Sequence, residues 1–316
     1  MADKKVIAVI GATGAQGGGM VRAILNDKSE EFAVRAITRN PESDKAKQLA
    51  QKGAEVVAAD IDNIESLKKA FEGAYGVFAV TNFWEHFSAE KEMEQAKSIA
   101  KAAKDANVMH VIWSSLDDTR KLISLDDNRM PTLQGKYKVP HFDAKGESNK
   151  FFTDSGVPTT ILNTVFYWEN FIYFGQGPKK GPDGKLSLSL PLAESKMPSI
   201  AAEDIGKCAL GIFKSGDKYI GQTVGIAGEH LSGKQFAEGF SKALGQEVNY
   251  NAISAETYRG FGFPGADDMG NMYQFKAEFE DFYCNSRDIE LSRKLNSELQ
   301  SFDSWLEKNK SKIPLE

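Results

Sequence analysis

The sequence predicts an α/β protein: a doubly wound, mostly parallel sheet with a smaller C-terminal α+β region. Three observations carry this. Short β-branched runs alternate with amphipathic stretches through the first half of the chain, a glycine-rich turn follows the first run, and the composition shifts after about residue 163. The chain divides into residues 1–163 and 164–316, with part of the second segment expected to return to the sheet.

Strands are predicted at 6–10 ("VIAVI"), 32–38 ("FAVRAIT"), 54–60 ("AEVVAAD"), 76–81 ("GVFAVT"), 108–115 ("VMHVIWSS") and 158–163 ("PTTILN"). Between them, stretches such as Glu65 to Glu72 and Glu90 to Ala106 have helical spacing, and units of this kind form right-handed parallel crossovers. Past residue 163 comes "VFYWENFIYFGQGPKKGPDGKLSLSLP", aromatic-rich and turn-rich. It suits a region packed over the carboxyl ends of the strands, where open α/β sheets hold ligands. Within it "GPKKGPDGK" reads as an exposed turn, and the late "FDSWLEKNK" reads as an amphipathic helix.

At 316 residues the chain buries ample core without staples. Cys208 and Cys284 are its only cysteines, too few for a disulfide framework or a thiolate zinc site, which fits a reducing compartment. The start, "MADKKVIAVIGATG", lacks the apolar core of a signal peptide, and no apolar run nears the ~18 residues of a membrane span. A cytoplasmic setting is expected. The net charge of −5, with basic residues scattered among acids, argues against direct nucleic-acid binding. His86, His110, His141 and His230 lack close ligand spacing, so no metal is expected, and no Gly-x-Ser-x-Gly elbow marks a hydrolase.

"VIAVIGATGAQGG" sets Gly11, Gly14 and Gly17 between a buried strand and a helix beginning near Gly18. Glycines permit the tight turn and leave no Cβ between the main chain and a pyrophosphate, while the helix N-terminus supplies amide donors. Thr13, Ala15 and Gln16 belong to the same loop. The reading is a dinucleotide site on a Rossmann-like domain. Arg39 in "ITRNP" stands where an NAD-selective protein carries an acid for the ribose 2′-hydroxyl; an arginine there pairs with a 2′-phosphate, which favours NADP(H), unless Arg39 is a solvated surface residue. Asp60 and Ile61, ending the third strand, are expected to face adenine, with Asp62 or Asn63 capping the next helix.

Together "GATGAQGG", "ITRNP", "GAEVVAADIDN", "GAYGVFAVTNFWE", "HFDAKGE", "GFPGADDMGNMY" and "FDSWLEKNK" resemble the NmrA-like family, atypical members of the short-chain dehydrogenase/reductase superfamily. The likeness spans nearly the whole chain and is greatest to the redox-sensor branch, through the His-Phe-Asp-x-Lys-Gly and Gly-Phe-Pro-Gly-Ala stretches. The resemblance implies NADP(H) in preference to NAD(H) and a regulatory role in which bound dinucleotide reports redox state. It also implies a protein partner, a homodimer controlled by NADPH, and movement between cytoplasm and nucleus. Other branches, including isoflavone-reductase-like enzymes, keep a lysine-dependent reductase activity.

Superfamily reductases carry Tyr-x-x-x-Lys, two residues one helical turn apart: the lysine holds the nicotinamide ribose and the phenol protonates the carbonyl oxygen that receives hydride. Here the pair is His141 and Lys145, on a helix expected to start at Pro140, and no tyrosine lies four residues before a lysine. Lys145 reads as a ribose contact or as a solvated helix lysine. His141 reads as a non-catalytic cofactor contact, a helix-start residue, or a proton donor. The Lys145 ammonium is expected to disfavour an imidazolium, and a neutral, shorter ring is a poor substitute for a phenol. Thr81, Asn82 and Phe83 end the fourth strand and are expected to line ribose and nicotinamide. Asn163 to Tyr167, Phe166 included, follow the sixth strand and could cover the nicotinamide face, with core packing the other reading for Phe166 and Trp168. Ser114 and Ser115 close the fifth strand as substrate contacts or strand-end hydrogen bonds. The sequence thus reads as an NADP(H)-binding redox sensor without reductase activity; the alternative is an NADPH-dependent reductase of a small carbonyl, quinone or phenolic compound, with "FYWENFIYF" as an apolar substrate wall.

Overall fold

The expected strands all form, with ends shifted by a residue or two, in a computed structural model that describes residues 4–181 and 183–315. They are β1 (Lys5–Val9), β2 (Phe32–Thr38), β3 (Glu55–Ala58), β4 (Gly76–Ala79), β5 (His110–Ser115) and β6 (Thr159–Asn163). A seventh, Thr223–Gly225, completes one sheet in the order Thr223–Gly225, β6, β5, β4, β1, β2, β3. Every neighbouring pair is parallel. Strand order reverses at β1, so a crevice opens beyond the carboxyl ends of β1, β2 and β4, where a doubly wound sheet binds its ligand.

The helices α1 (Ala15–Leu25), α2 (Asp44–Gln51), α3 (Ile64–Phe71), α4 (Ala89–Asp105) and α5 (Pro140–Ser155) cross between these strands. Alternation along β1 sends Ile7 and Val9 to one face, into a core with Met20, Val21, Ile205 and Phe213. It sends Ala8 and Ile10 to the other, with Phe71, Ile99, Ala103 and Phe152. Trp113 of β5 stacks on Phe152 of α5 with ring centres 4.7 Å apart, which fixes how α5 lies on the sheet.

Helix α1 begins at Ala15, earlier than the expected start near Gly18. Gly17, Gly18 and Gly19 are poor helix formers in isolation, but here they allow close packing that outweighs propensity. A Cβ on Gly19 would meet Glu203 Cα at 3.2 Å, and one on Gly206 would run into the backbone of Gly19 and Met20. Helix Ala202–Lys214 therefore lies against α1 backbone to backbone, and with Thr223–Gly225 it brings the second half of the chain back to the sheet.

The rest of residues 164–316 forms further helices, Gly233–Leu244 and Ala266–Glu278 among them, and two small sheets, Glu229–Ser232 with Lys196–Ile200 and Phe166–Tyr167, and Val248–Ala252 with Leu186–Leu190 and Lys179–Lys180. "GPKKGPDGK" is the exposed end of a hairpin in which Lys179 and Lys180 pair antiparallel with Ser187 and Leu186 respectively; Pro182 lies outside the described residues. "FDSWLEKNK" supplies helix Phe302–Asn309, whose Trp305 stacks with Phe302 in the core. Among the described residues no helix is long and apolar enough to cross a membrane.

Candidate functional site

A cavity of about 1180 Å³ follows the crevice from the glycine loop, past the ends of β2, β3 and β4, to His141 and Lys145. It then continues into an apolar compartment walled by Phe166, Tyr167, Phe263, Met269 and Met272. Gly11, Thr13, Gly14, Ala15, Gln16, Gly17, Arg39, Asp60, Ile61, Thr81, Asn82, Phe83, His141, Lys145 and Phe166 all line it. Asn163 does not: its amide donates to Asp117 Oδ1 at 3.2 Å, so the side chain is spent holding the β5–β6 loops together.

At the loop, Gly11 has φ +65°, and the Gly14 amide donates back to its carbonyl at 2.8 Å. Gly14 caps α1 in an extended conformation with no side-chain cap and no acid in the first turn, which leaves that turn's amides free for an anion. A Cβ at Gly14 would stand 3.2 Å from the Gly11 carbonyl oxygen, so the cradle is shaped by the missing side chain. At the far end of β2, Arg39 pairs with Glu85 on the surface and is largely exposed, free to turn toward a ligand. The Asp60 carboxylate accepts from the Asp62 amide at 3.0 Å, and Asn63 caps α3 by accepting from the Ser66 amide at 3.1 Å.

Lys145 is not a solvated helix lysine. It is 8 % exposed, and its ammonium donates to Thr81 Oγ1 at 2.7 Å, to the Thr81 carbonyl at 3.3 Å and to Glu92 Oε1 at 2.8 Å. Glu92, from α4, is wholly buried and also accepts from the Thr81 hydroxyl at 2.5 Å. Burial pushes the Glu92 carboxyl up, but Lys145, His86 and Thr81 together bring it down to about 2. The nearest charge to Lys145 is therefore a carboxylate that balances it.

His141 has its own carboxylate, Asp268, which no local spacing announces. Its Nδ1 lies 2.5 Å from Asp268 Oδ1, and its backbone amide donates to Asp268 Oδ2 at 3.1 Å. Asp268 thus holds both ring and backbone, assigns the Nδ1 proton to itself and leaves Nε2 for the cavity. Trp84 packs on the imidazole with ring centres 4.8 Å apart. The first turn of α5 is anchored by Asp143, which accepts from the amides of Thr119, Lys138 and Val139. Tyr137 points elsewhere, its phenol donating to Glu90 at 3.3 Å, so it cannot stand in for the missing tyrosine.

Ser114 donates to Gln16 Oε1 at 2.7 Å, and Gln16 Nε2 donates to the Tyr167 phenol oxygen at 2.6 Å, a polar chain from β5 across the glycine loop to the far wall. Burial raises the Tyr167 phenol to about 12, which suits a fixed hydrogen-bonding group. Ser115 donates to Asn149 of α5 at 2.7 Å, the strand-end role. Of the aromatic stretch, Phe166, Tyr167 and Phe174 reach the cavity, while Trp168 is buried with its indole donating to Ser199 at 2.8 Å. No cluster of three or more metal-ligating side chains exists among the described residues.

The model of the NmrA-like family matches residues 3–306. The chain belongs to that family. An NmrA-like family domain-containing protein of Dictyostelium discoideum is 31% identical over 316 residues, covering 98% of this chain and 99% of that one. An NmrA-like family domain-containing oxidoreductase of Cladobotryum sp, FrzB, is 30% identical over 289 residues, covering 85% of this chain and 83% of its own. Among solved structures, NmrA, a negative transcriptional regulator, in complex with NADP, superposes with a TM-score of 0.79 at 24% identity over 96% of this chain and 95% of that one, a likeness of fold.

In this NmrA-like chain, the sequence points to much of the crevice lining, Asn163 excepted, but not to the apolar wall of Phe263, Met269 and Met272 or to the carboxylates that charge and orient His141 and Lys145. Glu92 sits among other acids in "SAEKEMEQ" with nothing local to single it out. Asp268 lies in "GFPGADDMGNMY", a stretch that carries the family likeness without declaring a partner for His141.

Proposed function

We propose that this protein is an NADP(H)-dependent oxidoreductase acting on a small, largely apolar molecule. The observation that carries the reading is the continuity of one cavity from the glycine cradle, past the His141–Asp268 and Lys145–Glu92 pairs, into the compartment of Phe166, Met269 and Met272. A dinucleotide has phosphates for the α1 N-terminus and Arg39 but no use for that apolar end, which suits a second ligand. The NADP in the structure of NmrA and the oxidoreductase name of the Cladobotryum relative agree with it.

When bound, NADPH supplies a hydride from its nicotinamide. Lys145, held by Thr81 and Glu92, would hold the adjoining ribose, and Thr81, Asn82 and Phe83 line the same cavity. His141, its Nδ1–H donating to Asp268, faces the ligand with Nε2; the accompanying proton would come from Nε2 of the imidazolium, which Asp268 balances, and its transfer would leave the neutral ring with Nδ1–H still on Asp268. Mixing the protein with NADPH and a panel of quinones, aldehydes and ketones is expected to show ligand-dependent loss of reduced nicotinamide, slowed about 100-fold in His141→Ala. NADPH that stays bound and unspent across the panel, with wild type and variant alike, would sink this reading.

Arg39 sets cofactor choice in this reading. Arg39→Ala is expected to weaken NADPH about tenfold in a fluorescence titration and to leave NADH nearly unchanged. An equal loss for both would remove the 2′-phosphate assignment.

A second reading, a redox sensor, is favoured by one observation: Trp84 and Phe87, exposed at 36% and 40%, line the cavity as well as the surface, so occupancy inside can alter what a partner meets outside. Here a regulatory protein, or a second copy in an NADPH-controlled homodimer, reads the bound form in cytoplasm or nucleus. It requires NADPH and NADP⁺ to favour different states. Identical sedimentation profiles with NADPH, NADP⁺ and neither would remove it.

A further inference from the structure

Lys276, on helix Ala266–Glu278, is 1 % exposed, as deeply buried as the core around it. Among the described residues no carboxylate pairs with it. Its Nζ reaches two thioether sulfurs, Met272 Sδ at 3.3 Å and Met197 Sδ at 3.8 Å, and sits 5.6 to 5.8 Å from the ring centres of Phe142, Phe166, Tyr273 and Tyr283. Ring faces attract a cation but offer no lone pair, and thioether sulfur is a weak acceptor. Burial, with Arg287 of the same sign nearby, brings the ammonium down to about 7.

An unpaired buried ammonium costs stability that a methionine of similar length would not. Its surroundings point to a use. Lys276 lines the apolar compartment of the cavity together with Phe142, Phe166 and Met272, flat and flexible walls around one charged group. The compartment thus pairs a planar apolar enclosure with a single cation lacking its counter-charge, and a ligand that brings an anionic oxygen would complete it.

We propose that Lys276 anchors an acidic oxygen of the second ligand, and that this ligand is a flat aromatic or quinonoid molecule bearing an ionised enol, phenol or carboxylate. The proposal rests on the oxidoreductase reading for the ligand's being the substrate, while the anchor itself is a binding claim that stands apart from turnover.

The test compares 2-hydroxy-1,4-naphthoquinone, an enolate at neutral pH, with 2-methyl-1,4-naphthoquinone, which matches its shape without the acidic oxygen. Dissociation constants are read from tryptophan quenching of the full chain, with and without NADP⁺. The hydroxy compound is expected to bind at least about tenfold tighter to wild type, and the preference to vanish in Lys276→Met, whose unfolding midpoint stays equal or rises. Equal affinities in wild type, a preference that survives in Lys276→Met, or a variant that no longer folds would each overturn the anchor. If the preference and its loss hold while NADPH is never spent, the oxidoreductase reading fails and the anchor stands. If NADPH is spent on both quinones and their affinities are equal, the anchor fails alone.

Discussion

Gly17→Ala is expected to abolish dinucleotide binding and to cost about 2–4 kcal/mol of stability, a large effect for one methyl group. The new Cβ would run into the Gly11 carbonyl and stand 2.6 Å from the Ile10 carbonyl oxygen, both backbone atoms of the strand-to-helix turn. Backbone cannot rotate away as a side chain can, so either the first turn of α1 unwinds or the loop lifts off β1. Both outcomes dismantle the amide cradle that Gly14 leaves open. Gly18→Ala is the control: its Cβ would meet the Arg22 guanidinium, the far end of a long side chain, at 3.1 Å and the Ala12 carbonyl oxygen at 3.3 Å, and alanine favours the helix. Thermal unfolding with an NADPH titration of each variant checks the contrast. Equal, near-wild-type behaviour of both would show that the turn has slack that this packing denies it.

Glu92→Ala is expected to cost about 3–5 kcal/mol, because it strands the buried Lys145 ammonium without its counter-charge. The double variant Glu92→Gln with Lys145→Met removes the charge as well and should recover most of that loss while binding no dinucleotide productively. The pair also sets an acid limb. The Glu92 carboxyl is depressed in the folded state, to about 2 from an ordinary 4.5, so its stabilisation is fully present above about pH 4.5 and is lost as pH falls toward 2. Denaturant unfolding between pH 6 and pH 3 should therefore fall more steeply for wild type than for Glu92→Gln. Parallel slopes would mean that Glu92 is not the group whose protonation limits acid stability.

The sequence by itself determined what depends on neighbours along the chain. Periodicity of β-branched residues located β1 to β6, because side-chain alternation and burial are written within each strand. The spacing of Gly11, Gly14 and Gly17 located the cradle, because a positive φ and a close backbone approach demand residues without a Cβ. Pro140 located the start of α5, and with it the shared face of His141 and Lys145 one turn apart.

The tertiary structure alone decided which charges meet. Asp268 reaches His141 from 127 residues away, Thr81 reaches Lys145 across 64, and Gln16 reaches Tyr167 across 151. Such pairs depend on how βα loops and the C-terminal helices converge over one edge of the sheet, and no local pattern encodes that. The spacing of His141 and Lys145 sets an ammonium beside the imidazole as its dominant charge; the folded chain gives each of the two residues its own carboxylate. The early start of α1 and the choice of Thr223–Gly225 as the strand that returns to the sheet have the same origin. A glycine run disfavoured as a helix is held by the backbone packing of helix Ala202–Lys214, and a strand of three residues by its pairing with β6 and by the Ser286 carbonyl lying against Gly225, interactions between segments that no single segment announces.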